Sequence, residues 1–300
     1  MNPPGHLFPQ QVPEYDHELR FGVFITPLND PPRHAVDLAV HAERVGIDLV
    51  TFQDHPYQPR FHDTWTLLTW TAAVTERVRL ASLVHSLPLR PPAVLARAAA
   101  SLDHLSGGRF ELGLGAGTFW DAVEAMGGPR RSPGESLDAL DDAIDVIRGI
   151  WDTSTTERLE AGGDHYRISG AKRGPAPAHD MEIWVGAYGP RMMDLIGRKA
   201  DGWVPSIGRI SPEALADRTR RIDQAAERAG RSPADIRRIA NLGLGEQDFN
   251  GARLIETIAS LGETYGFSTF VLATDDPAHI EAYATEVAPA VRQLLGGNSE

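Results

Sequence analysis

Short apolar runs alternate with longer segments of helical periodicity along most of the chain. In the longer segments, apolar residues recur three or four positions apart, as on one face of a helix. The runs have the length and the β-branched or aromatic content of buried strands, and they number eight: residues 21–26, 49–52, 78–84, 109–113, 182–185, 202–204, 237–242 and 269–273. The pattern therefore predicts a regular alternation of strands and helices.

Capping residues mark where several of the helices begin and end. Residues 30–32 (Asp-Pro-Pro) predict the start of the first helix, and Gly46 suits its C-terminal cap. Asp63 can cap the second helix, which should run through Thr75. Residues 132–135 (Ser-Pro-Gly-Glu) have the pattern of a capping box, which predicts a helix that ends at about residue 151.

The alternation is interrupted before the fifth strand. Residues 153–180 carry scattered polar residues, glycines and prolines, with one candidate strand at 165–168. We interpret the region of about 152–181 as an insertion between strands four and five that contains a small hairpin.

Eight strand–helix units in a chain of 300 residues predict an α/β fold, a (β/α)8 TIM barrel. A doubly wound open sheet is the structural alternative, but it rarely needs eight regular units. No break in composition divides the chain, so we expect a single barrel domain over residues 17–295. Residues 1–16, which hold four prolines, are expected to form a flexible arm, and residues 296–300 a short tail.

Composition narrows the classes of partner and chemistry. A net charge of −12 argues against nucleic acid or an anionic membrane as the main partner. The chain has no cysteine, which excludes disulfides, thiolate nucleophiles and cysteine metal sites. No apolar run approaches the roughly 20 residues of a membrane span. We therefore expect a soluble, cytoplasmic protein that acts on a small molecule.

The most informative polar residues follow the second strand. Asp54 and His55 come directly after it, and a loop with two prolines and Tyr57 follows. Active sites of α/β barrels lie on the loops after the strands, and a histidine can exchange a proton near neutral pH. The alternative is that Asp54 caps a local turn and His55 is an ordinary polar loop residue.

Two glycine-rich segments follow the fourth and fifth strands and would face the same end of the barrel. Residues 113–117 (Gly-Leu-Gly-Ala-Gly) do not have dinucleotide-fingerprint spacing, but glycines there would let a flat ring lie against the backbone. Residues 186–191 (Gly-Ala-Tyr-Gly-Pro-Arg) lead into a helix start that could bind an anion. In both segments the alternative is structural, a sharp turn in the first and plain capping in the second.

The remaining histidines carry less information. His85 ends the third strand and either faces the barrel mouth as a ligand contact or is a satisfied histidine under a loop. His62 and Asp63 invite a metal interpretation, but no HExxH motif is present, so we expect no metal site.

Four segments together resemble the luciferase-like flavin-dependent oxidoreductase superfamily and span most of residues 20–205 in family order. They are the Asp54-His55 strand end, residues 83–97 with the run LPLRPPAVLAR, residues 102–117 (LDHLSGGRFELGLGAG) and residues 183–204 (IWVGAYGPRMMDLIGRKADGWV). The resemblance implies a TIM barrel that holds FMN or the deazaflavin coenzyme F420 noncovalently at its mouth. Many FMN-using members have Glu-His after strand two, whereas the deazaflavin branch has Asp-His with an aromatic residue nearby. Asp54, His55 and Tyr57 therefore place this chain closer to the F420-dependent branch.

The resemblance also implies roles for individual residues. His55, with Asp54, would be catalytic at the cofactor's ring edge, and His55 would exchange the proton or stabilise charge. The implied cofactor-binding residues are Ser82, Leu83, Gly115, Ala116, Gly117, Thr118, Gly186, Ala187, Gly189 and Arg191. The candidate substrate-pocket residues are Tyr57, His85, Phe119 and Trp120. A cis peptide bond is expected between Ser82 and Leu83, with the next bond, Leu83–Val84, as the second choice.

One departure from the family pattern bears on the substrate. The sugar-phosphate dehydrogenases of the family have a catalytic glutamate after the glycine run, where this chain has Thr118, then Phe119 and Trp120. An apolar or aromatic substrate suits these residues better. The resemblance thus implies hydride transfer between F420 and a small organic substrate, in a protein that is commonly a homodimer. The alternatives are an FMN-dependent monooxygenase that uses oxygen, and a non-catalytic flavin-binding protein.

Overall fold

A closed barrel of parallel strands forms the body of the protein. The computed structural model describes residues 17–244 and 249–296, so the predicted arm, 1–16, and the tail residues 297–300 lie outside the described residues. Eight parallel strands form the barrel, and the pairing of β3 (Arg79–Ser82) with β5 (Phe110–Gly115) closes it. They are β1 (Arg20–Ile25), β2 (Leu49–Phe52), β3 (Arg79–Ser82), β5 (Phe110–Gly115), β8 (Ile183–Val185), β9 (Gly202–Trp203), β10 (Arg237–Gly243) and β11 (Thr269–Ala273). The predicted TIM barrel is confirmed.

Helices cover the outside of the barrel. They are α1 (His34–Val45), α2 (Thr64–Val74), α3 (Pro92–Ser106), α4 (Trp120–Ala125), α5 (Pro133–Trp151), α6 (Pro190–Lys199), α7 (Pro212–Arg228), α8 (Gly251–Tyr265), α9 (Pro277–Ala282) and α10 (Ala288–Gly296), the last two joined by a π-helical turn. The described residues contain no helix that is both long and apolar enough to cross a membrane.

Side chains on the two faces of the barrel strands pack in two separate hydrophobic clusters. Val50 and Phe52 of β2 pack in the large cluster shared with the surrounding helices. Leu49 of β2 instead joins Ala81 and Trp184 in a smaller cluster with Ile239 of β10. Since successive side chains of a strand point to opposite faces, the smaller cluster fills the interior of the barrel.

Some predicted boundaries are wrong. The first helix begins at His34, after a cis Asp30–Pro31 bond, and its N-cap residue, Arg33, makes no side-chain capping hydrogen bond. The predicted third strand is broken: β3 ends at Ser82 and a two-residue strand, β4 (His85–Ser86), pairs with β5. The helix α4 was not predicted from the sequence.

The predicted insertion and its hairpin are present. An antiparallel pair, β6 (Leu159–Gly162) and β7 (Arg167–Ala171), lies between α5 and β8. The candidate strand at 165–168 overlaps the start of β7, and β6 was not predicted. The capping box that starts α5 is formed by Ser132 and Glu135. Tyr166 of the hairpin donates a hydrogen bond of 3.0 Å to the carbonyl of Leu87, so the insertion supports the segment after β4.

Candidate active site at the barrel mouth

The loop after β2 brings the two predicted catalytic residues to the C-terminal end of the barrel. Asp54 and His55 follow the last residue of β2, Phe52, and the loop ends where Asp63 caps α2. The side-chain oxygen of Asp63 accepts a hydrogen bond of 2.9 Å from the backbone N–H of Thr66. The predicted cap is therefore present, and the loop lies between two ordered elements.

Asp54 is buried, and both of its carboxylate oxygens accept hydrogen bonds. Arg90 donates two parallel hydrogen bonds of 2.7 Å, from Nε to Oδ2 and from a terminal nitrogen to Oδ1. The backbone N–H of Ser86 donates to Oδ2 at 3.0 Å, and Nδ1 of His85 lies 3.3 Å from the same oxygen. Burial acts to raise the pKa of Asp54, but the hydrogen bonds from Arg90 and His85 outweigh it and hold the pKa well below its usual range.

This geometry corrects the expectation that the Asp54 carboxylate meets a ring edge. Its side chain has no exposed surface, and its acceptors are directed at Arg90, Ser86 and His85. A catalytic contribution of Asp54 stays a prediction, and it would act through the residues that Asp54 holds.

One of the two interpretations of His85, that it faces the barrel mouth and contacts a ligand, is wrong. The side chain is completely buried, and its ring lies 5.1 Å from that of Trp65 between centroids. Burial lowers the pKa of His85, and the hydrogen bond with Asp54 opposes that effect. Nε2 of His85 is buried and has no hydrogen-bond partner among the described residues.

His55 lies among aromatic rings at the mouth. Its ring stacks on Tyr57, with centroids 5.4 Å apart, and is nearly parallel to Phe61 at 6.5 Å. Phe119 presents an edge to it at 5.5 Å. Burial lowers the pKa of His55, and the charge of Asp54 acts in the opposite direction. Burial also raises the pKa of Tyr57 to about 12, so this phenol stays neutral at physiological pH. Because burial lowers the pKa of His55, its imidazole is mainly neutral at neutral pH, and its neighbours are aromatic rings.

The glycines of the two predicted cofactor segments surround one side chain, Val84. A Cβ on Gly115 would approach Cγ2 of Val84 to 2.6 Å, and one on Gly186 would approach both methyl groups to 3.3 Å. The peptide bond before Val84, Leu83–Val84, is cis, so the first-choice placement at Ser82–Leu83 is wrong and the second is right. Ser82 is buried and donates its hydroxyl to the carbonyl of Gly113 at 3.1 Å. Leu83 packs in the barrel interior.

The loop after β2 forms one wall of the mouth, and the segment after β5 forms a second. Ala116 and Gly117 are half-buried and Thr118 is exposed. Phe119 has a left-handed backbone conformation (φ 52°) and a side chain that is 59% exposed. Trp120 begins α4 and packs on Gly117, where a Cβ would collide with its ring.

The start of α6 forms the third wall, and it is open. Gly189 caps the helix without a side-chain hydrogen bond, and a Cβ placed there would meet nothing within 4 Å. Arg191 is 68% exposed and lies 3.8 Å from Asp138. Ala187 is buried, and its carbonyl accepts a hydrogen bond of 3.0 Å from the indole of Trp203. Backbone N–H groups at a helix start attract anions, so this end suits a phosphate group.

These walls fit a flavin-type cofactor. The glycines of the two segments leave room for Val84, whose half-buried side chain presents apolar methyl groups at the mouth, and the open start of α6 offers donors for a phosphate. The described residues contain no group of three His, Asp or Glu side chains placed to hold a metal ion.

Sequence reasoning missed three residues of this site: Arg90, Phe61 and Val84. Arg90 was visible only as part of the LPLRPPAVLAR run, and its partner Asp54 lies 36 positions away. Phe61 lies in a loop with no periodic pattern. Val84 was predicted only as the end of the third strand and as part of the second-choice cis bond, and the structure places its half-buried side chain at the mouth.

Comparisons with known proteins agree with this geometry. The family described as luciferase-like monooxygenase matches residues 19–244. An F420-dependent glucose-6-phosphate dehydrogenase of Intrasporangium calvum is 34% identical over 232 residues, which cover 74% of this chain and 68% of the relative. The chain thus spans about two thirds of the length of the curated dehydrogenases that it matches.

Solved structures share the fold. An F420-dependent secondary alcohol dehydrogenase, solved with an F420–acetone adduct, has a TM-score of 0.81 at 20% identity and covers 92% of this chain and 100% of its own. A riboflavin lyase solved with modified FMN has a TM-score of 0.78 at 16% identity, over 92% of each chain. The family match over residues 19–244 and the relative at 34% identity establish that the chain belongs to the luciferase-like monooxygenase family and is an oxidoreductase of that family.

Proposed function

We propose that the protein transfers hydride between coenzyme F420 and a small organic alcohol or carbonyl compound. The observation that carries the choice of cofactor is the 34% identity, over 74% of the chain, to a dehydrogenase named for F420. The Asp54-His55 pair with Tyr57 after β2 supports the same choice. When bound, F420 supplies a carbon centre that accepts or donates hydride.

The protein's own residues provide proton exchange and orientation. His55 is neutral near pH 7 because burial lowers its pKa, so it can accept the hydroxyl proton of an alcohol or return it to a carbonyl oxygen. Tyr57 stacks on the imidazole and Phe119 lies edge-on to it, so the two rings restrict how the imidazole can turn. Gly189 and Arg191 would hold the cofactor at its phosphate. The other residues that would hold the cofactor are Ser82, Leu83, Gly115, Ala116, Gly117, Thr118, Gly186 and Ala187.

The rings around His55 favour an uncharged apolar or aromatic substrate. Tyr57, Phe61 and Phe119 all lie within 6.5 Å of His55 between ring centroids. The two carboxylates of this loop, Asp54 and Asp63, are paired with Arg90. Thr118, where a sugar-phosphate dehydrogenase would have its glutamate, supplies no carboxylate. We therefore expect secondary alcohols, ketones or enones to be better substrates than sugar phosphates.

A second candidate is an FMN-dependent monooxygenase that uses reduced FMN and oxygen. It is favoured by the family match and by the fold shared with a riboflavin lyase solved with modified FMN. The two candidates differ in oxygen demand and in which cofactor binds.

Equilibrium titration of the purified protein with F420 and with FMN, followed by fluorescence quenching, tests the proposal. We expect tighter binding of F420, and F420 reduction without oxygen when apolar secondary alcohols are added. Glucose 6-phosphate serves as the comparison substrate. Micromolar binding of FMN with no detectable binding of F420 would transfer the assignment to the monooxygenase.

We also propose that the protein is a homodimer; a cytoplasmic location stays a prediction. The outer helix α2 contains no charged residue, and on it Trp70 is 56% and Val74 42% exposed. Trp70→Glu should convert a dimer into a monomer in light scattering, whereas Leu294→Glu, on α10, should not. A monomeric parent protein would refute the homodimer.

A further inference from the structure

The loop that carries His55 is held at both of its ends by one side chain. Arg90, at the start of the α3 segment, donates two hydrogen bonds of 2.7 Å to Asp54 and one of 2.6 Å to Oδ2 of Asp63. Asp54 is the residue before His55, and Asp63 is the last residue before α2. A single guanidinium therefore joins the beginning of the loop to its end.

From this geometry we infer that Arg90 is a positioning residue, which aims His55 at the reacting atoms by fixing residues 54–63 as one rigid loop. The inference rests on the proposed function for the identity of the reaction, but not for the rigidity of the loop. Arg90 does not contact His55 itself, so any effect on the reaction passes through Asp54 and Asp63.

The donors that contact Asp54 explain why the first residue of the loop is held so firmly. Its carboxylate has no exposed surface, and the side chain of Arg90 is 18% exposed. A buried carboxylate that loses its cationic partner has to rearrange or take up a proton, since an unpaired charge is costly away from water. The backbone of His55 follows directly and would move with it.

Other contacts hold a different part of the loop. Asn29 donates to the carbonyl of Pro59 at 2.9 Å, and Leu28 forms a bridge with Phe61. These contacts anchor the outer turn. The hydroxyl of Thr64, the first residue of α2, also donates to the carbonyl of Gln53 at 2.5 Å, and the side chain of Asp54 is held by Arg90, Ser86 and His85. The division predicts that removal of Arg90 loosens the His55 end of the loop while the outer turn stays in place.

Hydrogen–deuterium exchange on the cofactor-free protein is the primary test. Arg90→Gln should accelerate amide exchange in residues 54–58 at least 10-fold and leave the barrel strands unchanged. Arg97→Gln is the matched control, because Arg97 lies in the first half of α3, the helix that follows Arg90, and donates to the carbonyls of Lys172 and Gly174 instead. Exchange in residues 54–58 that equals the parent's would overturn the inference.

Kinetics give the second readout. A misplaced imidazole should lower kcat on the order of 10²-fold, with the dissociation constant of the cofactor changed less than threefold. Arg90→Lys restores the charge but not the paired donors, so it should recover only part of kcat. An unchanged kcat in Arg90→Gln would also overturn the inference.

Asp63→Asn keeps the test decisive if Arg90→Gln does not fold. Asparagine is as good a helix cap as aspartate, so this variant should leave α2 intact and weaken only the contact with Arg90. We expect faster exchange in residues 59–63 and a smaller loss of kcat. Unchanged exchange there would contradict the two-ended clamp. Because exchange needs no cofactor, failure of F420 to bind would refute the proposed function and leave this test intact.

Discussion

At the scale of single residues, the proposed function assigns proton exchange to one imidazole, that of His55. His55 lies on a loop rather than in the core, and rings of Tyr57, Phe61 and Phe119 surround it. These neighbours lower its pKa by burial without supplying a charge. A histidine of this kind keeps its proton-accepting form to lower pH than a solvated one would.

We predict that His55→Ala keeps the fold and the cofactor affinity but lowers kcat by about 10²- to 10⁴-fold, the usual contribution of a positioned proton-transfer group. His62→Ala is the control, since His62 lies in the same loop and its ring nitrogen lies 2.9 Å from the carbonyl of Pro32. Steady-state reduction of F420 measures the effect. Equal turnover by parent and His55→Ala would make His55 a structural loop residue.

At the scale of secondary-structure elements, the start of α6 is the part of the mouth that we propose binds the phosphate of the cofactor. The helix begins at Pro190 after Gly189, and the space in front of Gly189 is open. Arg191 is largely exposed, and its ion pair with Asp138 is long, at 3.8 Å. A surface pair of this kind contributes little to stability, so the position of Arg191 is explained better by binding than by folding.

Arg191→Ala should weaken cofactor binding about 10- to 150-fold, the effect of losing a charge-assisted contact of about 1.5–3 kcal/mol. The unfolding midpoint should hardly change. Arg198→Ala, in the last turn of the same helix, removes a surface pair with Asp141 and should leave binding unaffected. Fluorescence titration decides between them; unchanged affinity in Arg191→Ala would leave plain capping as the role of this segment.

At the scale of the whole molecule, a cluster of two buried carboxylates and two half-buried basic side chains lies at the end of the barrel opposite the mouth. Asp103 of α3, Glu111 of β5 and Arg79 of β3 converge on His179, which precedes β8. Nδ1 of His179 lies 2.9 Å from Oδ2 of Asp103. Hydrogen bonds with Asp103 and Glu111 raise the pKa of His179 to about 9. The charged imidazole thus ties the end of the insertion to the barrel floor.

This raised pKa predicts a loss of stability at alkaline pH. A histidine with a pKa near 6.5 when unfolded and about 9 when folded contributes fully below pH 6.5, and the contribution fades as the pH rises through 9. The parent protein should therefore exceed His179→Gln in free energy of unfolding by more at pH 6 than at pH 10. The change in this difference between the two pH values should be roughly 3 kcal/mol at most.

Urea unfolding at pH 6 and at pH 10 measures that difference. His104→Gln is the matched control, because His104 contacts the carbonyl of Ala176 at 2.8 Å instead of a carboxylate. A stability difference between the parent and His179→Gln that is the same at both pH values would contradict the expected role of His179.

The amino-acid sequence by itself determined the features that depend on neighbouring residues. Strand and helix periodicity gave the eight units of the barrel, and local capping chemistry placed the starts of α2 and α5 at Asp63 and Ser132. The position of Asp54 and His55 at the mouth also followed, because in a parallel barrel the end of every strand faces the same side. These features need no knowledge of which strands meet.

Tertiary structure decided the contacts that join distant parts of the chain. The pairing of Arg90 with Asp54 spans 36 positions, and the contact of Arg79 with His179 spans 100. The break between β3 and β4 and the burial of His85 likewise depend on β4 pairing with β5. Partners of this kind are set by barrel closure, which brings side chains within hydrogen-bonding distance whatever their separation in sequence. Local periodicity carries no record of that closure, so the sequence placed His55 at the mouth while only the folded chain showed which residue holds its loop.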